Sequence, residues 1–215
     1  MIIYWPIWML GSYLLGAFPT SYLAGRLLKG IDLRQYGSGN LGATNAFRML
    51  GPGPGILVLG IDVLKGFAPV YWIPALVGLE SRGSTTAVLF QILIGVAAVA
   101  GHILNPFFRF RGGKGVATAT GVFLGICPAA VGLSFSVWLV LMAVFRIVSV
   151  ASLGAAFSLP FFVYLTSDHH LAGFGIIQAF SVVITLAAVL THRSNIGRLL
   201  RGEEKPLTKS GRSSL

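Results

Sequence analysis

Charged residues and cysteine are both scarce in this chain of 215 residues. Charged side chains make up 10% of the sequence, and only six residues are acidic, whereas 55% are apolar and 28 are glycine. A soluble domain is about 25% charged, and one of this length could not bury so much apolar surface. The lone cysteine, Cys127, excludes an internal disulfide and a multi-cysteine metal site. These scarcities exclude a soluble globule and a disordered chain, and they predict a protein of the lipid bilayer.

Basic residues, in contrast, are plentiful, with sixteen Lys and Arg giving a net charge of +10. In a soluble protein such a charge would first suggest nucleic acid. Here the basic residues lie in short linkers between apolar runs, where the positive-inside rule, anionic membrane lipids or phosphate ligands account for them better. We therefore expect lipids and phosphates as partners, and no nucleic acid.

Six apolar stretches are long enough to be considered as membrane spans. They cover residues 2–25, 52–79, 86–106, 115–145, 147–166 and 172–192. The basic linkers 26–51 and 107–114 and the residues after 192 are expected in the cytoplasm, and the loops 80–85 and 167–171 outside.

This sidedness requires residues 115–145 to leave the cytoplasmic side and return, as two helices over 115–127 and 128–145. Cys127-Pro128 is the expected break, because proline disrupts a helix interior. The sequence thus predicts one all-α integral membrane domain over 1–215, a polytopic bundle of about seven transmembrane helices. Its N-terminus would lie outside and its tail, 193–215, in the cytoplasm. Five spans remain the alternative if the hairpin does not cross.

A first polar cluster, residues 37–48, interrupts the apolar pattern. Residues 37–42 match G-x-G-x-x-G, but a membrane helix and not a strand precedes them, which excludes a dinucleotide fold. Glycine backbone amides can crowd around an anion, and a helix beginning near Ala43 would favour a phosphate further. The neutral donors are Ser38, Asn40, Thr44 and Asn45. The alternative is a flexible loop between two helices.

A second cluster, residues 101–118, contains Gly112-Gly-Lys-Gly115. It resembles part of a P-loop but lacks the Ser or Thr after Lys114, so a nucleotide site is excluded. A lysine between glycines at the start of a helix still suits a phosphate. For His102, a hydrogen-bonded packing role is the preferred interpretation.

A third cluster follows the last apolar stretch, where His192 and Asn195 are spaced to share one helix face. For Arg193, Arg198 and Arg201 we favour contact with lipid headgroups. Within the second apolar stretch, Asp62 and Lys65 would be costly unless paired or functional. They could pair with each other, or Lys65 could face the site.

The three clusters together resemble the bacterial acyl-phosphate:glycerol-3-phosphate acyltransferase family (PlsY type). The matching stretches are Ser38-Gly-Asn-Leu-Gly-Ala-Thr-Asn-Ala-Phe-Arg48, Gly101-His-x-x-x-Pro-x-x-x-x-Arg-Gly-Gly-Lys-Gly-Val-Ala-Thr118 and His192-Arg-Ser-Asn-Ile-Gly-Arg-Leu-Leu-Arg-Gly-Glu203, with Asp62-Val-Leu-Lys-Gly66 between them. The resemblance implies a multi-pass enzyme of the inner membrane whose site faces the cytoplasm. It would transfer a fatty acyl group from acyl phosphate to sn-glycerol 3-phosphate, giving lysophosphatidic acid and inorganic phosphate, with no cofactor and no metal.

The resemblance also implies roles for individual residues. Glycerol 3-phosphate would be held by Ser38, Arg48, Lys114, His192 and Asn195, and the acyl phosphate by Gly39, Asn40, Gly42, Thr44, Asn45 and Gly113. The catalytic residues would be His192, Lys114, Asn195 and Ser38. Either His192 or a substrate phosphate could take the proton of the attacking hydroxyl, and the substrate is slightly favoured. A transporter of an organic phosphate or another anion is the alternative function, although the polar motifs line one membrane face and no repeat is visible.

Overall fold

The computed structural model describes residues 4–79 and 84–207, and the regular secondary structure of these ranges is entirely helical. The helices are α1 Trp5–Gly16, α2 Thr20–Lys29, α3 Ala43–Leu50, α4 Pro52–Leu76, α5 Thr85–Ile103, α6 Val116–Ile126, α7 Pro128–Phe145, α8 Val148–Thr166, α9 Phe174–Thr191 and α10 Arg193–Leu200, with a short 3₁₀ turn at Pro106–Phe108.

Five helical segments of the described chain are long and apolar enough to cross a membrane. They are Pro52–Leu76, Thr85–Phe108, Pro128–Phe145, Val148–Thr166 and Phe174–Thr191. Their outward faces are apolar: α7 buries only Ala130, Val131 and Ser134. Large exposed apolar faces on helices are expected where lipid replaces water. The chain is therefore an all-helical, multi-pass membrane protein.

The apolar stretch 2–25, predicted as one membrane span, is not one continuous helix in its described part, residues 4–25. Helix α1 ends at Gly16 and α2 begins at Thr20, with Pro19 between them. Proline cannot donate a backbone hydrogen bond, so the helix cannot continue through it unchanged. Side chains from elsewhere bind the carbonyls at this break: Asn105 Nδ2 donates to Ala17 O at 2.6 Å, and Lys65 Nζ donates to Phe18 O at 2.5 Å.

Glycines allow the central helices to pack backbone against backbone. A Cβ atom on Gly16 of α1 would lie 2.0 Å from Ala98 O of α5, and one on Gly66 of α4 would lie 2.0 Å from Thr118 O of α6. Gly121 meets α4 in the same way. Small residues at such contacts are typical of membrane bundles, where close packing replaces the hydrophobic effect between helices.

The break expected at Cys127-Pro128 is where α6 ends and α7 begins. Helix α6 has 11 residues and packs along α4, whereas α7 packs along α8. At a rise of about 1.5 Å per residue, α6 is shorter than the hydrocarbon core of about 30 Å.

Residues 193–207 are not an extended tail. Their first part forms α10, and the chain then turns back so that Leu207 N donates to Arg146 O at 2.8 Å. Residues 208–215 lie outside the described ranges, as do residues 80–83 of one predicted external loop. The returning segment, residues 201–207, closes over the end of the bundle where the polar motifs meet.

Candidate active site

Segments far apart in the sequence meet at one end of the bundle. Lys114 Nζ donates to Asn195 Oδ1 at 2.5 Å, a contact across 81 residues. Arg48 Nη2 reaches Lys205 O at 2.9 Å. The structure thus joins the second cluster to the third directly, and Arg48 of the first cluster contacts the segment that follows the third.

Lys114 lies in the connection between α5 and α6, just before Gly115, which has a φ of 81° that favours glycine. Thr191 Oγ1 donates to the Lys114 carbonyl at 3.1 Å and ties this connection to the end of α9. Burial lowers the pKa of Lys114 to about 8, with Glu204 opposing the shift and Arg198 and Arg48 adding to it. The ammonium is therefore a cation at neutral pH that would gain from a nearby anion.

Asn195 is buried and both ends of its amide are bonded. Its Oδ1 accepts from Lys114, and its Nδ2 donates to Glu204 Oε1 at 2.5 Å. Arg198 Nε and Ser149 Oγ bind the same carboxylate at 2.5 and 2.9 Å. The carboxylate fixes the orientation of the Asn195 amide, so Oδ1 faces the lysine.

The pKa of Glu204 lies below its ordinary value. Burial raises it, but the hydrogen bonds from Arg198, Asn195 and Ser149 more than offset this effect. Glu204 is therefore ionised at neutral pH and holds Arg198 in an ion pair. Arg198, for which contact with lipid headgroups was favoured, binds this carboxylate through Nε, and its contact with headgroups stays a prediction.

His192 sits at the junction between α9 and α10 and is 2% exposed. Its Nδ1 is 2.8 Å from the carbonyl of Ala188, which can only accept, so Nδ1 carries the proton and Nε2 the lone pair. Burial, together with the charge of Lys114, lowers the pKa of His192 to about 4. This imidazole is therefore neutral at pH 7.

The first cluster forms a tight loop before α3, shaped by Asn45. The buried Asn45 Nδ2 donates to Leu33 O and Tyr36 O at 2.9 and 3.1 Å, and its Oδ1 accepts from Ser38 N at 3.0 Å. Gly37 has a φ of 63°, and a Cβ there would lie 2.3 Å from Asn45 Oδ1. Asn45, expected to bind acyl phosphate, has its amide engaged by the loop itself.

The other predicted ligands of this loop surround the start of α3. Ser38 and Gly39 are exposed, Gly42 caps the helix, and Asn40 and Thr44 are half-buried. Within the described ranges, no hydrogen bond joins the Ser38 side chain to Lys114, His192 or Asn195. Ser38 is thus brought to this end of the bundle but not into the Lys114–Asn195 contact.

Gly113 packs directly on His102, a residue that the sequence assigned to packing. A Cβ on Gly113 would lie 2.0 Å from His102 Nε2, and Gly113 N donates to His102 O at 3.0 Å.

For Lys65, the sequence left open whether it pairs with Asp62 or faces the site. The structure shows the pair: Lys65 Nζ binds Asp62 Oδ1 at 2.7 Å, and both side chains are buried.

Sequence reasoning missed Glu204 and Ser149. Two adjacent glutamates follow Gly202, and the motif ended at the first of them. Glu203 is exposed and pairs with Arg201, whereas Glu204 turns inward to Asn195. Acidic residues in an otherwise basic segment were the signal that could have identified this region. Which of the two glutamates binds Asn195 depends on the return of the chain to Arg146, which the sequence does not show.

Comparisons with known proteins identify the family of this chain. The family profile described as glycerol-3-phosphate acyltransferase matches residues 6–202. A glycerol-3-phosphate acyltransferase of Chlorobium phaeobacteroides (strain DSM 266) is 39% identical over 226 residues, covering 94% of this chain and 96% of the relative. One of Pelodictyon phaeoclathratiforme is 37% identical, covering 92% and 94%.

Two solved structures are also similar. Both are of PlsY (YgiH), an integral membrane glycerol 3-phosphate acyltransferase, and both are 37% identical to this chain and cover 94% of each chain. The glycerol 3-phosphate form superposes with a TM-score of 0.82 and the lysophosphatidic acid form with 0.79.

Proposed function

Because the chain belongs to the glycerol-3-phosphate acyltransferase family, we propose that its Lys114–Asn195 centre binds glycerol 3-phosphate and that an acyl phosphate is the acyl donor. The acyltransferase function replaces the alternative of an anion transporter. The observation that carries the proposed site is the buried contact between Lys114 Nζ and Asn195 Oδ1, with His192 beside it.

The charge of this centre suits a phosphate dianion. Lys114, Arg48 and Arg198 lie near one another, and Glu204 is the carboxylate among them. Arg198 is committed to Glu204, which leaves Lys114 and Arg48 as the cations for the ligand. Ser38, His192 and Asn195 complete the proposed glycerol 3-phosphate site. The bound phosphate would take the place of the Lys205 carbonyl on Arg48.

The acyl phosphate is proposed to lie against the loop before α3 and the step at Gly113. The backbone amides at the start of α3, with the Asn40 and Thr44 side chains, would bind its phosphate and the oxyanion that develops at the carbonyl. Gly39 and Gly42 allow close approach, and Asn45 serves by holding the loop.

The chemical step needs positioning more than a protein nucleophile. The acceptor hydroxyl oxygen attacks the acyl carbonyl carbon, the bond from that carbon to the phosphate oxygen breaks, and phosphate leaves. A histidine with a pKa of about 4 is a weak base, so we propose that a phosphate oxygen of the substrate takes the hydroxyl proton. A dianion beside His192 would favour its protonated form, which could then donate from Nε2.

The membrane arrangement is also a proposal. We propose seven crossings in the inner membrane, with the N-terminus outside and the active site and C-terminus in the cytoplasm. The basic residues at the site end of the bundle support this sidedness. An impermeant thiol reagent should label an Arg201→Cys variant, made in a Cys127→Ala background, in inverted membrane vesicles. Labelling confined to right-side-out vesicles would reverse the orientation.

The deciding experiment measures phosphate release by purified protein in lipid-supplemented detergent. Palmitoyl phosphate is supplied with and without glycerol 3-phosphate, and a parallel reaction contains palmitoyl-CoA. We expect release that requires both substrates, formation of lysophosphatidic acid, and no reaction with the CoA ester. Formation of lysophosphatidic acid from palmitoyl-CoA but not from palmitoyl phosphate would overturn the proposed donor.

A His192→Ala variant tests the path of the proton. If a substrate phosphate is the base, the loss should fall on the KM for glycerol 3-phosphate, with kcat reduced much less. A loss confined to kcat would instead assign the base to His192.

A further inference from the structure

A second buried polar group, the Asp62 cluster, lies behind the site and consists of Thr20, Asp62, Lys65 and His102. All four side chains are less than 10% exposed. They come from the start of α2, from α4 and from the end of α5. Ionisable groups inside a membrane bundle are costly and therefore need partners.

The carboxylate of Asp62 is the centre of this cluster. Its Oδ1 accepts from Lys65 Nζ at 2.7 Å and from Thr20 Oγ1 at 3.2 Å, and His102 Nδ1 lies 3.9 Å away. Lys65 also binds the Phe18 carbonyl at the break between α1 and α2. One oxygen thus connects α2, α4 and α5.

His102 links this carboxylate to the site. One side of the ring faces Asp62, and Nε2 lies against Gly113, where a Cβ would approach within 2.0 Å. The peptide of Gly113 is fixed to the same residue by its bond to His102 O, and Gly112 N donates to Ile103 O at 2.9 Å. Lys114 is the next residue, with its Cα about 3.8 Å beyond that of Gly113.

There is little free space in this linkage. The cavity lined by Asp62, Lys65, His102, Gly112 and Gly113 measures about 10 Å³, room for no more than about one water molecule. In a region packed this closely, a rotation of the His102 ring must displace the Gly113 backbone.

We propose that Asp62 is a positioning residue for glycerol 3-phosphate binding, acting through His102 and Gly113 on the placement of the Lys114 ammonium. This inference rests on the proposed role of Lys114. The proposed role differs from that of a purely structural ion pair, which would stabilise the bundle but would not specifically set the position of the Lys114 ammonium.

The test is a double-mutant cycle on purified protein with palmitoyl phosphate as donor. Asp62→Asn keeps the side-chain shape and an acceptor for Thr20 but removes the charge. We expect it to lower kcat/KM for glycerol 3-phosphate about tenfold, mainly through KM. In a Lys114→Met background the same change should cost less than about twofold, because the group it positions is gone.

Thr185→Val is the matched control, since it removes a hydrogen bond to Ala156 O at 2.7 Å between α9 and α8, two helices that carry no residue of the Asp62 cluster. It should leave the KM for glycerol 3-phosphate unchanged in both backgrounds. If Asp62→Asn does not fold, the same cycle is run with the double variant Asp62→Asn/Lys65→Met. This variant removes both charges of the buried pair, so no unpaired charge remains.

Two different results would overturn the inference. In the first, Asp62→Asn lowers kcat/KM by the same factor in the wild-type and Lys114→Met backgrounds, and Lys114→Met is itself strongly impaired. The proposed site would then stand, and Asp62 would have only a structural role. A Lys114→Met variant with nearly wild-type kcat/KM would overturn the role of Lys114 and with it any effect transmitted to it.

Discussion

Two buried charged groups lie at the same end of this bundle, and they differ in how their charges are balanced. In the Asp62 cluster, one carboxylate meets one ammonium, and the remaining bonds go to a hydroxyl and a backbone carbonyl. Around Asn195, the carboxylate of Glu204 is paired with Arg198, while Lys114 has an amide oxygen as its hydrogen-bond partner.

This difference separates a group that holds the helices around the site in position from the group that would bind the ligand. A buried group that is neutral as a whole needs no ligand, and its bonds hold helices together. A buried cation whose hydrogen-bond partner is a neutral amide is stabilised by an added anion, and burial is the main cause of the lowered pKa of Lys114. The comparison predicts that perturbing the second group affects substrate binding first.

Removing the unbalanced cation should have the largest effect. Lys114→Met is expected to lower kcat/KM for glycerol 3-phosphate by about 10³-fold, the scale of losing a preorganised charge contact. Steady-state kinetics with palmitoyl phosphate would measure this loss. A loss of less than about tenfold would place phosphate binding elsewhere.

Releasing Asn195 should have the next largest effect. Glu204→Gln keeps the size of the side chain but weakens its bonds to Arg198 and Asn195, so we expect about a tenfold to hundredfold loss of kcat/KM. Glu203→Gln is the matched control. Its partner Arg201 and its own side chain are 60% and 55% exposed, and such surface pairs contribute little. Similar kinetics for the two variants would contradict the positioning of Asn195 by Glu204.

The pH dependence should show a smaller effect. Lys114 has a pKa of about 8 in the free enzyme, so its charge is lost as the pH rises above that value. We expect kcat/KM for glycerol 3-phosphate to fall above about pH 8, by up to about tenfold per pH unit. His192, with a pKa of about 4, should add no inflection between pH 5 and 7.

Lys114→Arg provides the control for this profile. Arginine keeps its proton throughout the range, so the decline above pH 8 should disappear even if the maximal rate is lower. A decline that persists in the arginine variant would assign the titration to another group.

The helical, membrane-embedded class of the protein follows from sequence features that do not depend on tertiary contacts. Apolar runs of about 20 residues and a proline at position 128 account for most helix boundaries. The break within region 2–25 was not predicted, because hydropathy alone does not reveal a break at Pro19. That break is stable because Lys65 and Asn105, distant in sequence, bind its carbonyls.

The site was predictable in outline but not in its contacts. The spacing of polar residues identified Lys114 and Asn195, and the structure joins them. The same reasoning made Asn45 a ligand, whereas its amide is bonded to its own loop. Whether an amide binds a ligand or the backbone depends on the path of the nearby chain, which a motif does not contain.

The sequence by itself determined that this protein lives in a bilayer, which residues could bind phosphate, and the family to which they belong. Composition and local spacing are sufficient for these conclusions because burial in lipid and helix formation act on consecutive residues. Only the tertiary structure decided which of two glutamates orients Asn195, and that Lys65 is neutralised whereas Lys114 is not. Charge balance depends on contacts between residues far apart in the sequence, such as Lys114 and Asn195 across 81 residues, and helix packing decides which of these residues meet.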